Sequence, residues 1–389
     1  MPLEALPPRP GHGMTAEFNL ENFHQTIDVE PQEPRPLRTL PAEWAPQSAI
    51  LISWPHAETD WADILDEVTE CYVRMAYAIA AHQPLIVLVV EGLDVSSLLE
   101  KRLPQAVFSN ITFVVVPTTN DTWVRDYGFL TVQSTGGAEL MDFRFNGWGG
   151  KFKAEHDNAA NRLLFETQLL RGHYVDALDF ELEGGGIESD GCGTLLTTAE
   201  CLLNPNRRRQ GDAVPTPDKA QVEALLKERL GVERILWLHY GYLAGDDTDS
   251  HIDTLARLCP NDTIIYVQCT DTADEHYEAL AAMEQELQAF RTLEGKPYRL
   301  IPVPLPDACY DEEERLPATY ANFLIINKVV LVPTYAQPEK DALALKNIQK
   351  AFLEREIIGV DCRALIRQHG SLHCATMQFP REVFRTPAQ

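Results

Sequence analysis

Apolar and polar positions alternate along this chain in two different rhythms. Short β-branched or apolar runs at 49–53, 85–90 and 112–116 have the length and composition of buried strands. Between the first two, Ile64, Leu65, Val68, Cys71, Tyr72, Met75, Ala76 and Ile79 recur at helical spacing and make one apolar stripe. A second helix is marked by Thr216 as cap, Pro217 at its first position and Gly231 past its end, with Val222, Leu225, Leu226 and Leu230 inward. Further strands are expected at 235–238, 263–267, 299–303, 323–326, 329–332 and 357–360, and helices over 273–293 and 340–354. Strand and helix alternate with no fixed-period repeat and no composition break past residue 40, which predicts one α/β domain over 37–389. Residues 1–36 are rich in Pro, Glu and His, lack any period, and read as a disordered arm.

Composition narrows the partners. The net charge is −25 over 389 residues, which disfavours nucleic acid and anionic membrane and suits a small cationic ligand. No apolar stretch reaches the ~18 residues of a membrane helix, and no basic region followed by an apolar run marks a secretory signal. The eight cysteines (71, 192, 201, 259, 269, 309, 362 and 374) have no framework spacing and read as reduced thiols of a cytoplasmic protein. Homo-oligomerisation is open to such a chain.

Five polar, Gly-rich segments interrupt the pattern: 120–128, 145–151, 183–191, 245–253 and 369–378. Each is expected at the end of an element, where functional loops lie. Cys374 follows Gly370, Ser371 and His373 in a tight polar stretch, a setting for a positioned thiolate; the other seven cysteines sit in apolar or helical surroundings and read as core or bystanders. In His251-Ile252-Asp253 an extended chain would place imidazole and carboxylate on one side. Asp126, Asp253 and Glu183 are acids among glycines in separate loops. Any one alone is more often an exposed turn acid; together they suit a guanidinium, whose paired donors match carboxylates. His369, His373 and Cys374, with His251, have nearly ligand-like spacing, but no Cys-x-x-Cys or His-Glu-x-x-His accompanies them, so no metal or other cofactor is expected.

The ordered segments Trp-Val-Arg-Asp-Tyr-Gly (123–128), Phe-Asn-Gly-Trp-Gly-Gly-Lys (145–151), Glu-Gly-Gly-Gly-Ile-Glu-Ser-Asp-Gly (183–191), His-Ile-Asp-Thr-Leu-Ala-Arg (251–257) and Gly-Ser-Leu-His-Cys-Ala-Thr-Met-Gln (370–378) resemble the agmatine deiminase and Porphyromonas-type peptidylarginine deiminase family. The resemblance runs from about residue 40 to 381. It implies the pentein fold, a five-bladed α/β propeller of ββαβ-type modules. It also implies Cys374 as nucleophile, His251 as general acid/base, Asp126 and Asp253 as guanidinium clamps, and Glu183 as the acid contacting both histidine and guanidinium. Two departures stand out: Phe129 follows Gly128 where many relatives have Pro, and the nucleophile follows His-Gly-Ser-Leu-His rather than Gly-Gly-Asn-Ile-His.

That resemblance implies hydrolytic deimination, with agmatine giving N-carbamoylputrescine and ammonia through a cysteine thiouronium. A distal ammonium would want acids or aromatic faces, for which Trp123, Asp121, Trp148 and Asp249 are candidates. Peptidyl-arginine deimination, amidinotransfer through the same Cys/His pair, and non-catalytic binding are the competing readings.

Overall fold

The computed structural model describes residues 38–207 and 218–386; the expected arm over 1–36 and the expected helix start at Thr216 and Pro217 lie outside them. Strand Gln47–Ser53 leads through helix Leu65–Ala80 into Leu85–Val90, which pairs with it in parallel, and Ile111–Val116 extends the sheet. On the other edge, Met377–Pro380 runs antiparallel to Gln47–Ser53. The same order recurs down the chain. Leu130–Ser134 and Gly137–Arg144 form a hairpin, helix Glu155–Glu166 follows, and His173–Glu181 returns in parallel. Ile187–Ser189, Thr194–Thr198, helix Lys219–Leu230 and Arg234–Leu238 repeat it, as do Ala256–Cys259, Thr263–Gln268, helix Tyr277–Ala289 and Arg299–Pro304. Leu324–Ile325, Val329–Thr334, helix Pro338–Gln349 and Glu356–Asp361 are the last set. Five open sheets thus share an antiparallel-then-parallel ladder, and a two-stranded hairpin, Cys309–Asp311 with Glu314–Leu316, stands apart. The fold is mixed α/β, and no sheet among the described residues closes on itself.

Each helix buries one stripe on its sheet. Val68, Cys71, Tyr72, Met75, Ala76 and Ile79 of the first are all buried, each large side chain contributing roughly 1.5–3 kcal/mol. The Lys219–Leu230 helix is capped by Asp218 rather than Thr216: its carboxylate accepts from Gln221 N at 2.9 Å, and the Gln221 side chain accepts from Asp218 N, also at 2.9 Å. Leu225 there is only half-buried. The helix expected from 273 begins at Tyr277, because Asp271 and Asp274 side chains accept from the backbone N–H of Ala273 and His276 and hold that stretch in turns.

Candidate active site

The polar segments follow the carboxyl ends of the parallel strands, so strands from different sheets deliver them to one place. After Ile111–Val116 the chain makes a short helix, Val124–Tyr127, that carries Asp126. After His173–Glu181 comes Glu183 and a single 3-10 turn, Gly184–Gly186. His251 precedes another 3-10 turn, Ile252–Thr254, that carries Asp253. This corrects the expected extended geometry of His251-Ile252-Asp253; the two side chains reach one site through a turn instead.

Gly185 marks the centre. A Cβ there would lie 2.6 Å from His251 Nδ1, 2.8 Å from Asp126 Oδ1 and 3.2 Å from Asp253 Oδ2. Only glycine lets the chain pass that close. Its N–H donates to Asp126 Oδ1 at 2.9 Å, and Trp148 Nε1 donates to Asp126 Oδ2 at 2.9 Å. Trp148 reaches that bond from a left-handed backbone position, φ +54°, in the Gly147–Gly150 turn.

Cys374 Sγ lies 3.8 Å from Asp253 Oδ2 and accepts from Asn322 Nδ2 at 3.2 Å. Asp253 Oδ2 faces His373 Nδ1 at 2.8 Å, while Asp253 Oδ1 is buried without a hydrogen-bond partner. His251 Nε2 meets Glu183 Oε2 at 3.0 Å; its Nδ1 is also buried and unpartnered, 3.6 Å from Asp126 Oδ1. Two buried polar atoms on the residues of this site, one acceptor and one ring nitrogen, are therefore left without partners, a cost tolerated where a ligand supplies them.

Charge is distributed unevenly over this site. Burial pushes the Asp126 carboxyl up to about 6, against the pull of His251. Burial also opposes ionisation of Asp253 and Glu183, but His373 beside the first, and His251 with Arg207 beside the second, hold both below the usual carboxylate range. Burial opposes the His251 imidazolium, yet Asp126, then Cys201 and Glu183, raise its pKa well above the ordinary value. Burial, then Asp253 and Asp126, push the Cys374 thiol far up.

Trp123 and Trp148 line a small cavity beside Cys374 and Asp126, together with Asp60, Asp121, Phe152 and Asp247. Trp123 packs on Trp61, and Trp148 between Phe145 and Phe152. Asp121 holds Trp61 Nε1 at 3.1 Å. Asp249 is not brought into the cavity wall. Its carboxylate is taken by Arg207, by Lys151 Nζ at 3.0 Å and by Asn206 Nδ2 at 2.9 Å.

Several contributors gave no signal in the sequence. Asn322 is one. Arg125 lies within the 120–128 segment but is not singled out there: its N–H donates to Cys374 O at 3.2 Å and its Nε to His373 O at 3.3 Å, fixing the turn that carries Cys374. Arg207 donates to Glu183 Oε1 at 2.9 Å. Cys201, expected to be a bystander, places its Sγ 3.6 Å from Glu183 Oε2. Metal-type atoms cluster twice among the described residues, in Glu183, Cys201 and His251 and in Glu43, Glu188 and His373. An arginine pairs with the acids of each, Arg207 with Glu183 in the first and Arg257 with Glu43 and Glu188 in the second. His369 belongs to neither cluster; it lines the cavity beside Cys374, with its Nδ1 2.7 Å from Gly245 O.

The family of Porphyromonas-type peptidyl-arginine deiminases matches residues 39–380. A Vibrio parahaemolyticus protein provisionally named an agmatine deiminase is 33% identical over 366 residues, 87% of this chain and 96% of that one. Among solved structures, a Porphyromonas gingivalis protein provisionally named an arginine deiminase superposes with a TM-score of 0.82 at 49% identity, covering 90% of this chain and 100% of its own. A C. jejuni agmatine deiminase with substrate bound gives a TM-score of 0.77 at 36% identity, covering 90% and 98%.

Proposed function

This chain belongs to the Porphyromonas-type peptidyl-arginine deiminase family, and from that premise we propose that it hydrolyses the guanidinium of agmatine to N-carbamoylputrescine and ammonia. The observation that carries the choice of agmatine is the cavity wall. Asp60, Asp121, Asp126 and Asp247 line it, and no Lys or Arg does among the described residues. An ammonium at the far end of the substrate finds acids there; the carboxylate of a free arginine finds no cation.

In this reading Asp126 and Asp253 clamp the guanidinium, and its N–H groups satisfy the orphaned Asp253 Oδ1. The incoming cation offsets the two carboxylates that, with burial, hold the thiol neutral, so the thiol proton passes to solvent water and Asn322 Nδ2 steadies the thiolate. Sulfur attacks the guanidinium carbon. His251, protonated and with Nδ1 unpartnered, gives its proton to the departing ammonia, leaving a Cys374 thiouronium. Neutral His251 then takes a proton from water, which displaces the thiolate as the ureido product forms. The sheets are proposed to stand as five blades of a pentein propeller over 37–389, with 1–36 an arm outside it and the protein cytoplasmic.

Peptidyl-arginine is the second reading. It is favoured by a wider groove, lined by Glu58, Thr118, Asn120 and His156, that shares Asp60, Asp121, Trp148 and Phe152 with the cavity. Incubation with agmatine, free arginine, a blocked arginine ester and an arginyl peptide, with assay of ammonia and ureido product, separates the readings. Agmatine should be turned over best, and Cys374→Ala should abolish turnover. Turnover of the ester with none of agmatine would overturn the substrate assignment, and a product carrying the amidine on an added amine would identify an amidinotransferase.

A further inference from the structure

Behind Asp253 lies a buried chain of charges that never reaches the cavity. His373 Nδ1 is 2.8 Å from Asp253 Oδ2, and His373 Nε2 is 2.7 Å from Glu43 Oε2. Glu43 Oε1 accepts from Ile325 N at 2.7 Å, and Glu43 Oε2 also accepts from Arg257 Nη2 at 2.6 Å. Arg257 Nε continues to Glu188 Oε1 at 2.5 Å, and Glu188 Oε2 accepts from Leu258 N at 3.0 Å. His373, Glu43, Arg257 and Glu188 are all buried.

The contacts favour one arrangement of protons. Donors on both oxygens of Glu43 call for a carboxylate there. A neutral His373 carrying its proton on Nδ1 would turn the Nε2 lone pair toward that carboxylate at 2.7 Å, an unfavourable contact; the opposite tautomer would turn a lone pair toward Asp253. With a carboxylate oxygen at each ring nitrogen, only an imidazolium donates to both. Arg257 Nη2, 3.1 Å from Nε2, fits because both groups donate to the same Glu43 oxygen.

We propose that His373 is a positioning residue, held as a cation between Asp253 and Glu43, that keeps Asp253 ionised and fixes its carboxylate beside Cys374. Glu43, though it precedes Asp253 by some two hundred positions in the chain, anchors that cation. The inference rests on reading Asp253 as a clamp and Cys374 as the reacting group. The charged and titratable groups around Asp253 are His373, His251, Arg257, Arg125, Asp126 and the Cys374 thiol. His373 makes the one direct hydrogen bond from a charged side chain to it.

Two measurements test this. In protein labelled with 15N at its eleven histidines, the ring nitrogens of His373, identified by their loss in His373→Gln or their displacement in Glu43→Gln, should both carry protons at neutral pH. In the kinetics, His373→Gln should lower kcat/KM for agmatine about tenfold to a hundredfold, as loss of an outer partner of a site does, with KM carrying most of the change. Its acid limb should steepen from one proton toward two, or move to higher pH, as Asp253 becomes easier to protonate. Glu43→Gln should move the limb the same way by less. A neutral His373 ring overturns the proposal. So does a fall in kcat/KM that is equal at every pH, which a purely structural role would give. Should His373→Gln fail to fold, the spectrum and Glu43→Gln decide. Should the native protein turn over no guanidino compound, the functional reading fails while the spectrum still decides the charge on His373.

Discussion

Burial acts on Asp126 and Asp253 alike, yet their carboxyls end on opposite sides of the usual range, and the difference lies in single neighbours. Asp253 has His373 against it; Asp126 is bonded by neutral donors, Gly185 N and Trp148 Nε1, with Glu183 and Asp253 adding like charge. A clamp must be ionised to hold a cation. As pH falls through about 6, Asp126 takes up its proton first, while Asp253 and Glu183 remain ionised. kcat/KM should therefore fall below about pH 6 with a slope of one proton. Asp126→Asn should lower kcat/KM at pH 8 at least a hundredfold, since an unpaired buried charge costs about 3–5 kcal/mol, and should remove that limb. Asp218→Asn is the control: asparagine caps a helix as well as aspartate, so rate and pH profile should not change. A limb that persists in Asp126→Asn would assign it to another group. At this scale the sequence shows which residue types gather but not who neutralises whom. Asn322 lies 52 positions from Cys374, and Arg207 24 from Glu183. Neither sits in a polar, Gly-rich segment, so only folding reveals the pairing.

Turns rather than long helices or strands carry the reacting groups. Gly184–Gly186 and Ile252–Thr254 are single 3-10 turns, and at Gly185 there is no room for a further methyl. Gly185→Ala would drive its Cβ against His251 Nδ1 and Asp126 Oδ1. It should abolish turnover while leaving the circular dichroism spectrum and cooperative melting in place, because the clash falls on side chains of the site and the sheets lie elsewhere. A variant that melts much earlier, or one that keeps near-normal rate, would contradict this. Uniformly apolar elements were the legible ones: Leu85–Val90 is buried along nearly its whole length and its bounds match the expected run. Leu130–Ser134, Gly137–Arg144 and His173–Glu181 had no such signature. His173–Glu181 keeps only Ala177 and Glu181 buried, and a glycine opens Gly137–Arg144. The fivefold order of hairpin, helix and parallel strand was hidden for a related reason. Its strands start at 47, 130, 187, 256 and 324, at unequal intervals, because each set carries its own loops.

Across the whole molecule, the first sheet is completed only by the last strand, Met377–Pro380 against Gln47–Ser53, and Cys374 lies just ahead of it. Phe379 is fully buried in that pairing. Phe379→Ala should cost about 3–5 kcal/mol, lower Tm by roughly 10 °C, and lower kcat at temperatures well below melting, since the strand that loses its anchor also fixes the nucleophile's turn. Lost stability with an unchanged kcat would show that Arg125 and Asn322 hold that turn without the strand's help. Cys374 also follows every other residue of the site in chain order. On the ribosome, which delivers the amino end first, the proposed clamps, His251 and Glu183 emerge before Cys374, the proposed nucleophile. A nascent chain arrested short of residue 374 lacks Cys374, the sulfur proposed to attack the guanidinium. Catalysis would switch on only when the final strand docks, and a growing chain is spared a reactive site until then.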